Sequence, residues 1–164
     1  MVPWWVSALL VVLGLALAAI VLGRVASAST PARDVGVVDG RLRPCPDSPN
    51  CVSSEPGGAQ GSFAVAPFAV ASLEAVGSEG DPLAVVREVL AQQPRTAIVE
   101  RSASYLRAEV RSATFGFVDD VEVRWDDDAG VAHVRSASRL GYGDLGVNRN
   151  RVERLRAELE DRTR

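Results

Sequence analysis

The segment Tyr105-Leu106-Arg107-Ala108-Glu109-Val110-Arg111 alternates apolar and charged residues without a break. Successive side chains on a strand point to opposite faces, so this period of two marks a strand with one face on a core and the other in polar surroundings. The same period runs through Val121, Val123 and Trp125 against Glu122, Arg124 and Asp126. After an Asp127-Asp128-Ala129-Gly130 hairpin loop, a further strand extends from Val131 to Ser138. Upstream, the apolar run from Thr96 to Arg101 is set off from Tyr105 by the turn Ser102-Ala103-Ser104.

Helices bracket these strands. Asp81-Pro82 offers an N-cap followed by proline at the first helical position, Val85, Val86, Val89 and Leu90 recur at helical spacing, and Pro94 ends the run. A second helix is expected from about Val147 to Arg162, with Val152, Leu155 and Leu159 on one stripe. Helix, antiparallel strands, helix implies an α+β fold: a sheet of about four strands with both helices on one face.

The N-terminus is different in kind. No charged residue occurs from Val2 to Gly23, and Val6 to Leu22 is almost wholly Val, Leu, Ile and Ala. About 20 apolar residues span the ~30 Å hydrocarbon layer of a bilayer. Trp4 and Trp5 stand where an interfacial aromatic belt belongs, with Arg24 at the other end. The rival reading is a cleaved signal, because Ala26-Ser27-Ala28 has the small-residue spacing of a cleavage site and would release the protein near Ala28. Against it, no Lys or Arg precedes the apolar run, and the run exceeds the ~7–15 residues of a signal core. The organisation read from the sequence is therefore an anchor over 1–23, a linker over 24–42 and one α+β domain over 43–164, with the membrane met through residues 2–23.

Composition narrows the partners. The formal charge is −3 and the isoelectric point is about 5.2, which argues against nucleic acid. All 18 basic residues are arginine, a bias that weakens each arginine as a sign of anion binding. Cys45 and Cys51 are the chain's two cysteines, separated by Pro46-Asp47-Ser48-Pro49-Asn50, a pre-bent turn whose ends can meet. Zinc needs about four ligands, and the lone His133 does not complete a set; a thioredoxin-like pair needs two intervening residues, not five. The readings that remain are a structural disulfide or two inert thiols. A disulfide belongs outside the cytosol. It outweighs Arg24 and Arg33, which lie after the apolar run and on the positive-inside rule would keep the domain cytoplasmic.

Candidate chemistry concentrates late in the chain. Gly141, Gly143 and Gly146 spell G-x-G-x-x-G between a strand and a helix, but no second parallel strand follows to complete a dinucleotide fold. What survives is a loop entering a helix N-terminus, where free N–H groups and the helix dipole favour an anion. The expected ligand-binding set is Arg135, Arg139, Tyr142, Asp144, Asn148 and Arg149; the competing reading is a tight turn capped by Asn148, with arginines in ion pairs. Asp119 and Asp120 are adjacent on a strand, point to opposite faces, and read as buried partners of arginine before an acid/base pair. Asp126-Asp127-Asp128 lacks the glycine and distal glutamate of a calcium loop, and His133 has no triad beside it. No metal or cofactor is expected.

Three ordered blocks carry a resemblance: Cys45-Pro46-Asp47-Ser48-Pro49-Asn50-Cys51-Val52-Ser53-Ser54, then Phe117-Val118-Asp119-Asp120-Val121-Glu122, then Arg135 to Arg139 through Gly141-Tyr142, Asp144-Leu145-Gly146 and Asn148-Arg149-Asn150-Arg151. From about Arg43 onward the chain resembles the family catalogued as domain of unknown function 1499. The resemblance implies a bacterial membrane-associated or exported protein with plastid relatives, and brings no activity or catalytic residue. Two functions compete on the sequence: a membrane-tethered extracytoplasmic domain that binds an anionic small molecule or a protein, or a hydrolase- or isomerase-like enzyme using Asp119 or Asp120 with Arg135 and Arg139.

Overall fold

The computed structural model describes residues 3–32, 34–69 and 81–162. Val2 and Arg33, which entered the membrane argument, lie outside the described residues. Helix α1 (Trp4–Ser29) comes first, followed by β1 (Val37–Val38), β2 (Arg41–Leu42) and β3 (Cys51–Ser53). After a 3₁₀ turn at Gly61–Phe63 come β4 (Phe68–Ala69), α2 (Ala84–Gln92), β5 (Thr96–Arg101), β6 (Tyr105–Arg111), β7 (Val118–Asp126), β8 (Val131–Ser138) and α3 (Val147–Arg162).

The fold is α+β, with β1 and β2 as a small hairpin and the other six strands in one sheet of order β3-β8-β7-β6-β5, β4 also pairing with β8. Six strands replace the four expected. The two missed strands are two and three residues long, too short for alternation to register. They share one edge: β3 lies antiparallel to Arg135–Ala137 and β4 to Val131–Ala132. Tertiary bonds define them more than local sequence does. Arg156 of α3 donates to the carbonyls of Ala66 and Pro67 at 2.6 and 2.7 Å, and its guanidinium lies 5.3 Å from the centre of the Phe68 ring.

The alternation reads directly in three dimensions. Leu106 pairs with Val123, Ala108 with Val121, and Val123 with Val134; all are buried in one core. Val85, Val86, Val89 and Leu90 of α2 and Val152, Leu155 and Leu159 of α3 join the same core. Each such Val or Leu contributes roughly 1.5–3 kcal/mol on burial. Helix α2 begins at Ala84, two residues after Pro82, because Asp81 first closes a turn: its carboxylate accepts the Leu83 N–H at 3.1 Å and its carbonyl the Ala84 N–H. It stops at Gln92; Gln93 is extended (φ −68°, ψ 138°), as expected of a residue before proline.

Helix α1 carries the one candidate membrane span among the described residues, Trp4–Ala26, with mean hydropathy 2.8 and no part of it buried against the domain. Its 26 residues reach about 39 Å. Length and composition fit a membrane anchor or a signal sequence.

Candidate functional site

Residues of β6, β7 and β8 that point away from the core form a sheet face built of charge. Glu122 is 0% exposed and Arg135 2% exposed, and Arg135 Nη1 donates to Glu122 Oε2 at 2.7 Å. The other Glu122 oxygen accepts the Tyr105 hydroxyl at 2.8 Å and the Gly36 backbone N–H at 2.5 Å. Burial and the neighbouring carboxylate push the Tyr105 phenol well above its ordinary range. Asp120 accepts two bonds from Arg139, at 2.7 and 2.8 Å, and a third from Arg107 at 3.1 Å, while Arg139 also pairs with Glu109. Those carboxylates, Asp120 foremost, hold the Arg139 guanidinium above its ordinary value despite its burial. Arg124 grips Glu55 at 2.7 and 3.3 Å and Asp126 at 2.9 Å. Asp126 is held below the ordinary carboxylate value by the Ala129 N–H and by Arg124. Arg135 Nε is buried without a hydrogen-bond partner among the described residues.

Chain between α1 and β3 covers this face. Thr30 offers its carbonyl to Arg139 at 3.1 Å, Gly36 its N–H to Glu122, and Leu42 its N–H to Glu55 at 3.1 Å. The residues read as a linker are thus, in part, the lid over the ion pairs. Small polar residues with no period gave no signal of that packing.

A second polar cluster sits where α3 begins. Asp144 accepts the N–H groups of Gly146 and Asn148 at 2.9 and 2.7 Å, so a carboxylate already occupies the helix start and Asp144, not Asn148, is the cap. Asn148 is buried and bonds to Asn50, Ser136, Ser138 and Asp144. Arg151 joins Asp119 at 2.5 Å, Asn148 at 2.6 Å and Ser136 at 3.0 Å. Asp119 and Asp120 therefore lie on opposite faces, each paired with a different arginine. Arg149 is spent on the carbonyls of Ser62 and Ala64. Of the six residues expected to hold a ligand, Tyr142 alone stays 75% exposed without such ties.

Tyr142 stands at the mouth of a cleft of about 810 Å³. Its walls are the 45–51 loop, closed by the Cys45–Cys51 disulfide, and the glycine-rich 57–63 loop. Cys45 N–H bonds to the Gly58 carbonyl at 2.7 Å and so ties the two walls together. A side chain at Gly58 would meet Ser53 Oγ and Glu55 Cβ within 3 Å, so glycine is required there. Among the described residues no group of three or more His, Cys, Asp and Glu side chains could hold a metal.

The model of a family described as protein of unknown function (DUF1499) matches residues 41–159, about three quarters of the chain. The chain belongs to the DUF1499 family. No curated protein and no solved structure matches it. In this DUF1499 domain the matched span runs from β2 to the last turn but one of α3, so it takes in the whole six-stranded sheet and the cleft. Sequence reasoning missed Glu55, which no local pattern marks, and the 57–63 wall, whose glycines carry no periodic signal.

Proposed function

We propose that this chain is a membrane-tethered, extracytoplasmic binding domain whose ligand enters the cleft between the disulfide loop and the 57–63 loop. The cleft carries the reading. Its volume falls in the ~300–1,000 Å³ range of small-molecule sites; one wall is closed by the disulfide and a backbone hydrogen bond from Cys45 to Gly58 ties it to the other. Pro46, Pro49, Phe63 and Tyr142 supply apolar surface, Ser48 and Gln60 supply hydrogen bonds, and Asp47 is the one charged residue of the lining. A neutral or cationic ligand suits it better than an anion.

The anionic ligand expected at the 139–151 loop has less support, because Arg139 and Arg149 are engaged internally and Asp144 holds the helix start. The enzyme alternative also loses ground: Asp120 meets Arg139 but Arg135 meets Glu122, and neither aspartate lines the cleft. In this reading α2 and α3 together close one sheet face, supported by their shared core, and leave the other face to the N-terminal segment. The disulfide supports a location outside the cytosol, and α1 supports attachment.

The deciding experiment is an untargeted search for small molecules that co-purify with the full chain in detergent, followed by thermal-shift titration of each. A compound should raise the melting temperature of the wild type and lose that effect in Tyr142→Ala and Gln60→Ala. If no compound co-purifies or shifts melting, the binding reading is wrong. Carbonate extraction should leave the protein in the membrane pellet, and protease outside spheroplasts should digest the domain.

A further inference from the structure

We propose that the sheet end reached by α1 is a lipid-docking surface, which seats the domain in the headgroup region of the bilayer; this rests on α1 being the membrane anchor. The register fixes which loops gather there. Arg111 pairs with Val118 and Asp119 with Ser138, so the β6–β7 loop and the β8–α3 loop leave the sheet at one end. That end touches α1: Arg24 donates to the carbonyls of Ala113 and Thr114 at 2.9 and 3.1 Å, and Gly23 lies beside the Phe117 ring.

The two loops expose an unusual set of side chains. Phe115 and Phe117 are 43% and 40% exposed and stack on each other at 5.5 Å. Leu140, Tyr142 and Leu145 are exposed on the neighbouring loop, Leu145 completely. Leu145 also sits at φ +55°, a left-handed conformation that leucine rarely adopts, so a strained backbone presents an apolar side chain to the surroundings. No charge occurs from Ser112 to Phe117. Around this apolar set stand the exposed arginines Arg24, Arg95 and Arg111, the last also paired with Glu109, and such a charge suits anionic headgroups.

The opposite sheet end gives the contrast. Its turns are Ser102-Ala103-Ser104 and Asp127-Asp128-Ala129-Gly130, small and acidic, with no large apolar residue. The loops at the α1 end thus expose aromatic and leucine side chains, whereas the turns at the far end carry Asp127 and Asp128 and none of these. Helix α1 carries its own aromatic pair, Trp4 and Trp5, at its beginning and none near its end. Phe115, Phe117 and Tyr142 complete the belt from the folded domain, where aromatic rings favour the interface.

The test uses the isotope-labelled full chain in nanodiscs of phosphatidylcholine and phosphatidylglycerol, with a phospholipid whose nitroxide sits at the top of the acyl chain. Amides of α1, 113–117 and 140–147 should broaden severalfold more than those of 102–104 and 127–130. The variant Phe115→Ser, Leu145→Asn should lose the loop broadening, keep that of α1 and melt as the wild type, since both side chains are exposed and asparagine tolerates the left-handed region. Broadening of α1 without the loops overturns the docking surface and leaves the anchor standing; self-association through the loops in that case would make a second copy their partner. Absence of broadening in α1 overturns the anchor, and the docking surface with it.

Discussion

The central strands β7 and β8 are buried on both sides, but the two sides are buried by different means. The core face is filled by Leu106, Ala108, Val121, Val123 and Val134 against apolar helix residues. The other face buries Glu122, Arg135 and Asp120 beneath a stretch of chain with almost no regular structure. Apolar packing is non-directional and tolerates substitutes of similar volume. A buried ion pair contributes little net stability, yet it penalises any arrangement that leaves one charge alone. The helix side holds most of the buried apolar side chains, and the charged side dictates where the N-terminal segment must lie.

The contrast is sharpest where one charge is removed. Glu122→Ala leaves Arg135 buried without a partner and should cost about 3–5 kcal/mol in denaturant unfolding. The double variant Glu122→Met, Arg135→Met should cost less than the single one, because no charge is stranded. If the double variant is as damaged as the single one, the pair does more than neutralise itself. On the core side, Leu155→Ala should cost about 3 kcal/mol by transfer and cavity terms, with no rescue by a partner change. Asp144→Ala removes the α3 cap and should cost about 1 kcal/mol. Stabilisation on adding phosphate to that variant alone would show that the carboxylate occupies a latent anion site.

The smallest effect is a pH slope that belongs to the charged face alone. The Asp126 carboxyl sits below its ordinary 3.8 in the folded protein. A lowered folded value means that its contribution is present above about pH 3.8 and is lost as pH falls through the folded value. Asp126→Asn should flatten this acid limb of the melting curve, whereas Leu155→Ala should shift the curve without changing its shape.

Legibility followed the same division. Strands β6 and β7 declared themselves because each alternates over seven residues, β8 because it follows the Asp127–Gly130 hairpin loop, and α3 because Val152, Leu155 and Leu159 form a stripe over two turns. Strands β3 and β4 did not, since three and two residues held by β8 and Arg156 leave no periodic trace. The charges of the second face were visible, but not their pairing: Arg135 meets Glu122, its cross-strand partner in register, while Arg139 lies beyond the strand end and reaches back to Asp120. The cap was read as Asn148; Asp144, four residues earlier, accepts the helix-start N–H groups instead, and the Asn148 side chain is turned into the buried cluster. Tyr142 was singled out for a neighbouring loop, whereas the cleft behind it depends on the disulfide and Gly58, brought together from separate segments.

The fastening of the N-terminal segment limits how far the domain can move from helix α1. A free stretch of the eleven residues between Arg24 and Gly36 would let its cargo wander by about 20 Å. Here Arg24 is bound to the β6–β7 loop, Thr30 to Arg139 and Gly36 to Glu122, so that freedom is already gone. The domain cannot sweep the surrounding volume for a partner. With α1 as a membrane anchor, it would meet what diffuses laterally past it, at one height and in one orientation.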